Sequence, residues 1–162
     1  LGELIAQAWN DAGLEVIVVK PTAPVGAGDG GADRPPSATG RRILAALRGQ
    51  PFSYPPGGVN HAPVRDIAAG HLLAAERGQA GETYILGHAQ GNLDREAFLR
   101  LIGVPQVGNL RYKGPDALTA NPRKAIAELG LPQSDLAAAF GEAVAYYRFN
   151  MPEEARERVV AP

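Results

Sequence analysis

The run Glu15-Val16-Ile17-Val18-Val19-Lys20, closed by Pro21, constrains this chain more than any other feature. Consecutive β-branched residues favour extended backbone and leave no polar face, which is the pattern of a strand covered on both sides in a parallel sheet. Such a strand needs neighbours on either side to satisfy its backbone groups. Candidate neighbours are few. Thr83-Tyr84-Ile85-Leu86, stopped by Gly87, reads as a strand, and Val59 to Val64 reads as another that Pro63 confines to a sheet edge or a strand end. So few strands do not complete a doubly wound sheet, and part of the sheet is expected to be missing from this chain.

Helical patterns surround the strands. Leu1, Leu4, Ile5, Ala8 and Trp9 fall at helical spacing before Gly13. Thr39 is placed to cap a helix over Gly40–Leu47, with Ile43, Leu44 and Leu47 on one face and Arg41, Arg42 and Arg48 on the other. Asp66 stands at an N-cap position before Ile67–Ala75, and Gly78 closes that helix. Shorter helices are expected over Asp94–Ile102 and Pro122–Leu129, and a last one from Ser134 to about Phe149. Residues 1–150 read as one folded unit, with a charged and frayed tail over 151–162.

Composition excludes several classes of function. With 16 basic and 17 acidic side chains the net charge is −1, so no nucleic-acid partner is held by bulk electrostatics. Cysteine is absent, which removes disulfides, thiolate metal sites and a Cys nucleophile. No apolar run approaches the roughly 18 residues of a membrane span, and no leader pattern opens the chain, so a soluble protein of the cytoplasm is expected. Leu1 drops directly into a helical pattern without a cap or an initiating Met, as in a chain cut from something longer. Gly (20) and Pro (14) are together about one residue in five, nearly twice the usual share, and predict long ordered loops. The longest is Pro21 to Thr39. A loop of that length in a compact domain is usually functional or disordered.

Most motif readings fail on context. Gly26, Gly28 and Gly31 spell G-x-G-x-x-G, yet Pro35 and Pro36 follow where a helix should open, and Arg42 to Tyr54 holds no acidic residue to read a ribose. A surface loop is the better reading. His61, His71 and His88 have no metal-ligand spacing and are expected to be structural or surface residues. Ser37, Ser53 and Ser134 lack the nucleophile elbow of a hydrolase. The three arginines of the Gly40–Leu47 segment suit a phosphate, although a solvated face is the simpler reading. There remains the junction V-V-K-P-T-A-P-V-G. A Pro just past a buried parallel strand breaks pairing and turns the chain into the crevice at the strand's carboxyl end, where open α/β sheets bind ligands. Backbone groups freed there, with the hydroxyl of Thr22, could bond a flat amide. A rigid structural turn is the alternative.

V-I-V-V-K-P-T-A-P-V-G-A-G-D followed by P-S-A-T-G-R-R-I resembles the nicotinamide-side loop of extended short-chain dehydrogenases, the NAD-dependent epimerase/dehydratase family. The likeness is greatest to its dihydroflavonol-reductase-like and hopanoid-associated sugar epimerase branches. V-R-D-I-A-A-G-H-L-L-A-A-E-R-G-Q-A-G-E-T-Y-I-L-G and N-P-R-K-A-I-A-E-L-G-L-P resemble later motifs of that family, in the family's order. The resemblance implies an α/β fold: the C-terminal strands of a Rossmann-like doubly wound sheet, plus a small, mostly helical substrate lobe. It implies NAD or NADP as cofactor, with Pro21, Thr22, Ala23 and Val25 against the nicotinamide ring and Ser37, Thr39 and Arg41 near the substrate. Asp66 matches a helix-opening Asp of mainly structural role. Glu3 matches a Glu just downstream of the family's catalytic Tyr-x-x-x-Lys, which would lie before Leu1.

The departures matter equally. None of Tyr54, Tyr84, Tyr112, Tyr146 or Tyr147 has a Lys four positions later, and the glycine-fingerprint βαβ unit is absent. Without the Tyr acid/base, its lysine and the pyrophosphate cradle, hydride transfer lacks its machinery. Gly91 to Leu118 looks shorter than in the family, which puts the substrate lid in question, and Lys20 has no role that the sequence suggests. The expectation is therefore the C-terminal half of an NAD(P)-dependent sugar epimerase/dehydratase or alcohol/ketone reductase, inactive alone and binding its cofactor weakly. Its partner would be the missing N-terminal half or another chain pairing with the sheet. In the complete enzyme a small sugar or alcohol is the substrate. A noncatalytic module that completes its sheet by association is the rival reading, and a small ligand-binding domain with Pro21–Thr39 as a lid is a third.

Overall fold

A computed structural model describes residues 2–30 and 34–150. Leu1, Gly31 of the glycine pattern and the expected tail over 151–162 lie outside the described residues. Helix α1 (Gly2–Asp11) leads through the turn at Ala12 and Gly13 to strand β1 (Val18–Pro21), and β2 (Ala23–Val25) follows after a single residue. Then come α2 (Ala38–Leu47), β3 (Phe52–Ser53), β4 (Val59–Pro63) and α3 (Val64–Arg77). The chain continues with β5 (Thr83–Leu86), β6 (Asn92–Leu93), α4 (Arg95–Leu101) and β7 (Asn109–Leu110), then a π-type turn at Ala125–Leu129 and α5 (Leu136–Asn150).

Three small sheets result. β1 pairs in parallel with β5, with Val18 opposite Thr83 and Pro21 opposite Leu86. β4 lies between parallel β2 and antiparallel β6. β3 and β7 form a short parallel pair. Among the described residues β1 has no partner on its second edge. This corrects the expectation of a strand buried on both faces: Val18 and Val19 are half-buried, while Lys20 and Pro21 are exposed. The β-branched run makes the strand, but burial requires a neighbour and cover on each side, and β1 has them only towards β5 and α3.

β4, by contrast, is buried along its whole length. Pro63 sits at its last residue, where its missing N–H interrupts nothing beyond the final rung opposite Val25. Two apolar clusters flank these strands. One joins α2, α4 and α5 around Phe52, Tyr54, Phe98 and Phe140; the other lies under α3 around Ile67, Tyr84, Leu86 and Leu129.

Three expected helix boundaries change. Ser37, not Thr39, caps α2: its Oγ accepts from the Gly40 amide at 3.1 Å, and Thr39 lies inside the first turn. Asp66 lies in the first turn of α3, which Pro63 opens without a side-chain cap. Its carboxylate instead accepts from the amide (2.7 Å) and hydroxyl (2.6 Å) of Ser134, fixing the chain just before α5, which starts at Leu136 rather than Ser134. Pro122–Leu129 ends in the π-type turn rather than an α-helix, and Gly130 stops it at φ 71°, a left-handed conformation that glycine adopts at no steric cost.

Candidate functional site

Of the residues expected to face the nicotinamide ring, Val25 lines the cavities at the carboxyl ends of β2 and β4, while Pro21, Thr22 and Ala23 lie on the chain leading to them. Pro21 ends β1 and Pro24 lies in β2; both rings are exposed, and Ala23 between them is half-buried. Neither proline offers an N–H. Thr22, the residue between the strands, is committed to the sheet: its amide (3.0 Å) and hydroxyl (3.2 Å) both donate to the Leu86 carbonyl. The Thr22 hydroxyl proton is therefore not free for a flat amide. Pro21 and Pro24 each expose an apolar ring, and this proline ledge is chemically compatible with the face of a planar ring. Val25, buried at the end of β2, separates cavities of about 150 Å³ and about 110 Å³. The residues present thus fit a nicotinamide ring.

They do not fit the whole dinucleotide. Gly26 and Gly28 follow β2, but the next helix opens only at Ala38 and its amides are met by Ser37, so no helix N-terminus faces a pyrophosphate.

The substrate-side residues occupy α2, which packs against β2. Ser37 is spent as a cap and donates its hydroxyl to Asp29 Oδ2 at 2.6 Å. Thr39 is buried, and Arg41 is exposed with its guanidinium on the Pro36 carbonyl at 2.8 Å. The three arginines do not share one face. Arg42 is half-buried, donates to the Ser53 carbonyl and lies over the Tyr54 ring, and burial lowers its pKa. Ser37 is thus bonded to Asp29 in the loop after β2, and Thr39 is buried in the first turn of α2.

That loop is fixed by residues the sequence did not single out. Asp29 accepts from Ser37 N (2.9 Å), Ser37 Oγ (2.6 Å) and the Tyr147 hydroxyl (2.8 Å), and Tyr146 donates to the Gly30 carbonyl at 2.8 Å. Burial alone would raise the Asp29 pKa, but the Ser37 and Tyr147 donors outweigh it and hold the carboxyl below its usual range. Burial and the Asp29 carboxylate push the Tyr147 phenol up. Gly40 lies where a Cβ would overlap the Tyr147 hydroxyl and the Asp29 carboxylate, so no other residue fits there. An acidic residue in a Gly-rich loop was the only sequence signal, and its partners are 118 residues away in the case of Tyr147.

Behind the crevice lies a buried polar layer. Asn60 is fully buried; its Nδ2 donates to the His88 carbonyl and to Asn92 Oδ1, and its Oδ1 accepts from the His88 amide. His61, also 0% exposed, has Nε2 3.1 Å from the Tyr54 hydroxyl, which donates to the Leu93 carbonyl at 3.0 Å. With the phenol proton used there, Nε2 carries the imidazole proton and Nδ1 is left without a partner among the described residues. Burial, with Arg42 nearby, pushes its pKa down to about 3. His61 and His88 are structural, as expected, and His71 is an exposed residue bonded to the Ile67 carbonyl. No group of three or more His, Cys, Asp or Glu side chains among the described residues could hold a metal. Lys20 finds its partner in Glu3 at 2.7 Å, tying β1 to α1; with both side chains about half exposed, the pair contributes little.

No protein-family model matches the chain. A putative dihydroflavonol 4-reductase from Synechocystis sp. is 32% identical over 174 residues, covering 84% of this chain and 49% of that protein. A nucleoside-diphosphate-sugar epimerase from Pseudomonas aeruginosa superposes with TM-score 0.72 at 24% identity, over 91% of this chain and 53% of that one. The chain is similar in sequence and in fold to part of these extended short-chain dehydrogenases/reductases. Its fold is the corresponding part of a Rossmann-like α/β domain, and it spans about half the length of the relatives it matches. A UDP-glucuronic acid 4-epimerase from Bacillus cereus, solved with UDP-glucuronic acid and NAD, has the same fold at TM-score 0.70 and 18% identity, over 93% of this chain and 51% of that one. NAD or NADPH is bound in other solved members, so NAD(P) is the cofactor of this family. No described helix is long and apolar enough to cross a membrane.

Proposed function

We propose that this chain is the C-terminal, ring-facing and substrate-lobe half of an NAD(P)-dependent sugar epimerase/dehydratase or alcohol/ketone reductase. The observation that carries this reading is the free edge of β1 beside the proline ledge. A strand paired on one side only and ending in exposed Pro21, with Pro24 exposed in the strand that follows, is one flank of a ligand crevice whose other flank must come from elsewhere. In that arrangement the ledge packs on the nicotinamide ring, which supplies the hydride chemistry when bound. Asp29, Ser37 and Tyr147 hold the loop that follows. The chain brings no Tyr-x-x-x-Lys pair, so it neither donates nor removes the substrate proton.

The purified chain with NADH and a panel of nucleotide sugars is expected to give no change at the reduced-cofactor absorbance band, and calorimetry is expected to show NAD(P) binding weaker than about 100 μM. Co-expression with the complementary half of a full-length relative is expected to restore turnover. Turnover by the chain alone would refute the reading.

The same free edge favours one rival, a noncatalytic module that completes its sheet with a second chain. The exposed apolar residues of α1, Leu4 at 73% and Trp9 at 60%, add to the surface it would cover. A discrete dimer by light scattering, with no rescue by a complementary half, would favour this rival.

A further inference from the structure

A cavity of about 620 Å³ opens between the β5–β6 loop, α4 and the start of α5, next to the smaller cavity that Val25 lines, with which it shares Ser134 and Asp135. It shares no residue with the junction Pro21–Val25 or with Ser37, Thr39 and Arg41. Its volume falls within the range of small-molecule sites, and its walls are cross-linked before any ligand arrives. Gln133 accepts from the Ala89 amide (2.7 Å) and donates to the Gly87 carbonyl (3.2 Å). His88 Nδ1 accepts from the Gln90 amide (3.2 Å), which leaves Nε2 to donate to the Ser134 carbonyl at 3.1 Å. Ser134 is held in turn by buried Asp66. These bonds clamp the loop to the approach of α5, so the space between them is preformed.

The chemistry of the lining is specific. Leu93, Ala97, Leu101 and Leu136 give it an apolar floor. At the rim stands Arg100, exposed, with no side-chain hydrogen bond or ion pair among the described residues. A guanidinium with all its donors free beside an apolar floor suits a carboxylate or phosphate carried on an apolar body. Asp135 shares the rim, but its Oδ1 is spent on the amides of Ala137 and Ala138 at the start of α5. It repels an anion from that side and leaves Arg100 as the anchoring point.

We propose that this cavity is a second ligand site that takes a small organic anion, its head group on Arg100 and its apolar body over Leu93, Ala97, Leu101 and Leu136. The test uses the fluorescent apolar anion 8-anilinonaphthalene-1-sulfonate titrated into the full chain, with octanoate and octyl phosphate as competitors. Saturable one-to-one binding is expected, displaced by at least one competitor, and the stronger competitor identifies the preferred head group. Arg100→Gln is expected to weaken binding at least tenfold, Ala137→Trp to abolish it by filling the space from an exposed position, and Asp135→Asn to tighten it. Arg100 is exposed, so Arg100→Gln leaves the fold intact, as an unchanged thermal transition would verify, and it decides the matter even if the Trp variant fails to fold. Absence of saturable binding, or binding indifferent to Arg100→Gln as expected of dye held on the apolar face of α1, would overturn the proposal.

Discussion

Acidification should unfold this chain earlier than its carboxylates alone require, and His61 is the reason. Its imidazole is fully buried among Tyr54, Phe98 and Phe140, and burial with Arg42 nearby lowers its pKa from the ordinary 6.5 to about 3. The unfolded chain takes up this proton as pH falls through 6.5, while the folded chain resists until about pH 3. The contribution of a neutral His61 is thus complete above pH 6.5 and is lost as pH falls towards 3. Each full pH unit inside that window costs about 1.4 kcal/mol. From pH 7.5 to pH 5, above the range where ordinary carboxylates titrate, the loss is about 2 kcal/mol, and by pH 3 it approaches about 5 kcal/mol. Against a typical stability of about 5–15 kcal/mol, that loss decides whether the chain stays folded. Urea unfolding followed by circular dichroism at pH 7.5, 6.5 and 5 measures it directly. His61→Phe keeps an aromatic ring against its neighbours and removes the titrating group, so its stability should be nearly level over the same range. A wild-type change below about 0.5 kcal/mol, or an equal slope in both proteins, would refute the reasoning.

Other predictions concern the ties between distant segments. Tyr147→Phe removes the one phenol proton that the Asp29 carboxylate and carbonyl share, and should cost about 1–3 kcal/mol in thermal unfolding. Faster amide exchange confined to residues 26–40 would accompany it. Gly40→Ala should destabilise by a similar amount, about 1–3 kcal/mol, through overlap with the same two side chains, and combined with Tyr147→Phe the penalty should be less than additive. Asp66→Ala strips both partners from Ser134 and should cost about 2–3 kcal/mol, measured by denaturant unfolding.

Much of the local structure was legible because short-range rules write it. The β-branched run, the Thr83–Leu86 strand, the short helix after Asp94 and the Gly78 stop all depend on residues within a turn or two of each other. Where the reading missed, a side chain had a better offer elsewhere. Thr39 and Asp66 both satisfy the rules for an N-cap, but Ser37 is pre-set by Asp29 to take the first, and Asp66 is spent on a segment 68 residues away. Pro21 was legible as marking the end of the strand, whereas the commitment of the Thr22 hydroxyl to Leu86 depends on the pairing of β1 with β5.

The sequence by itself determined the strands that end at Pro21, Pro63 and Leu86, the main helices in outline, the absence of a Tyr-x-x-x-Lys pair from these residues and the resemblance to extended short-chain dehydrogenases, since each is written in residues close together along the chain; the short strands β2, β3, β6 and β7 were not legible there. Only the tertiary structure decided that Tyr147 and Asp29 pin the loop after β2, that His61 is sealed as a neutral imidazole, and that a cavity forms beside Arg100. Burial and hydrogen-bond completion are properties of neighbours in space, and a strand's own residues cannot supply the neighbour that covers it.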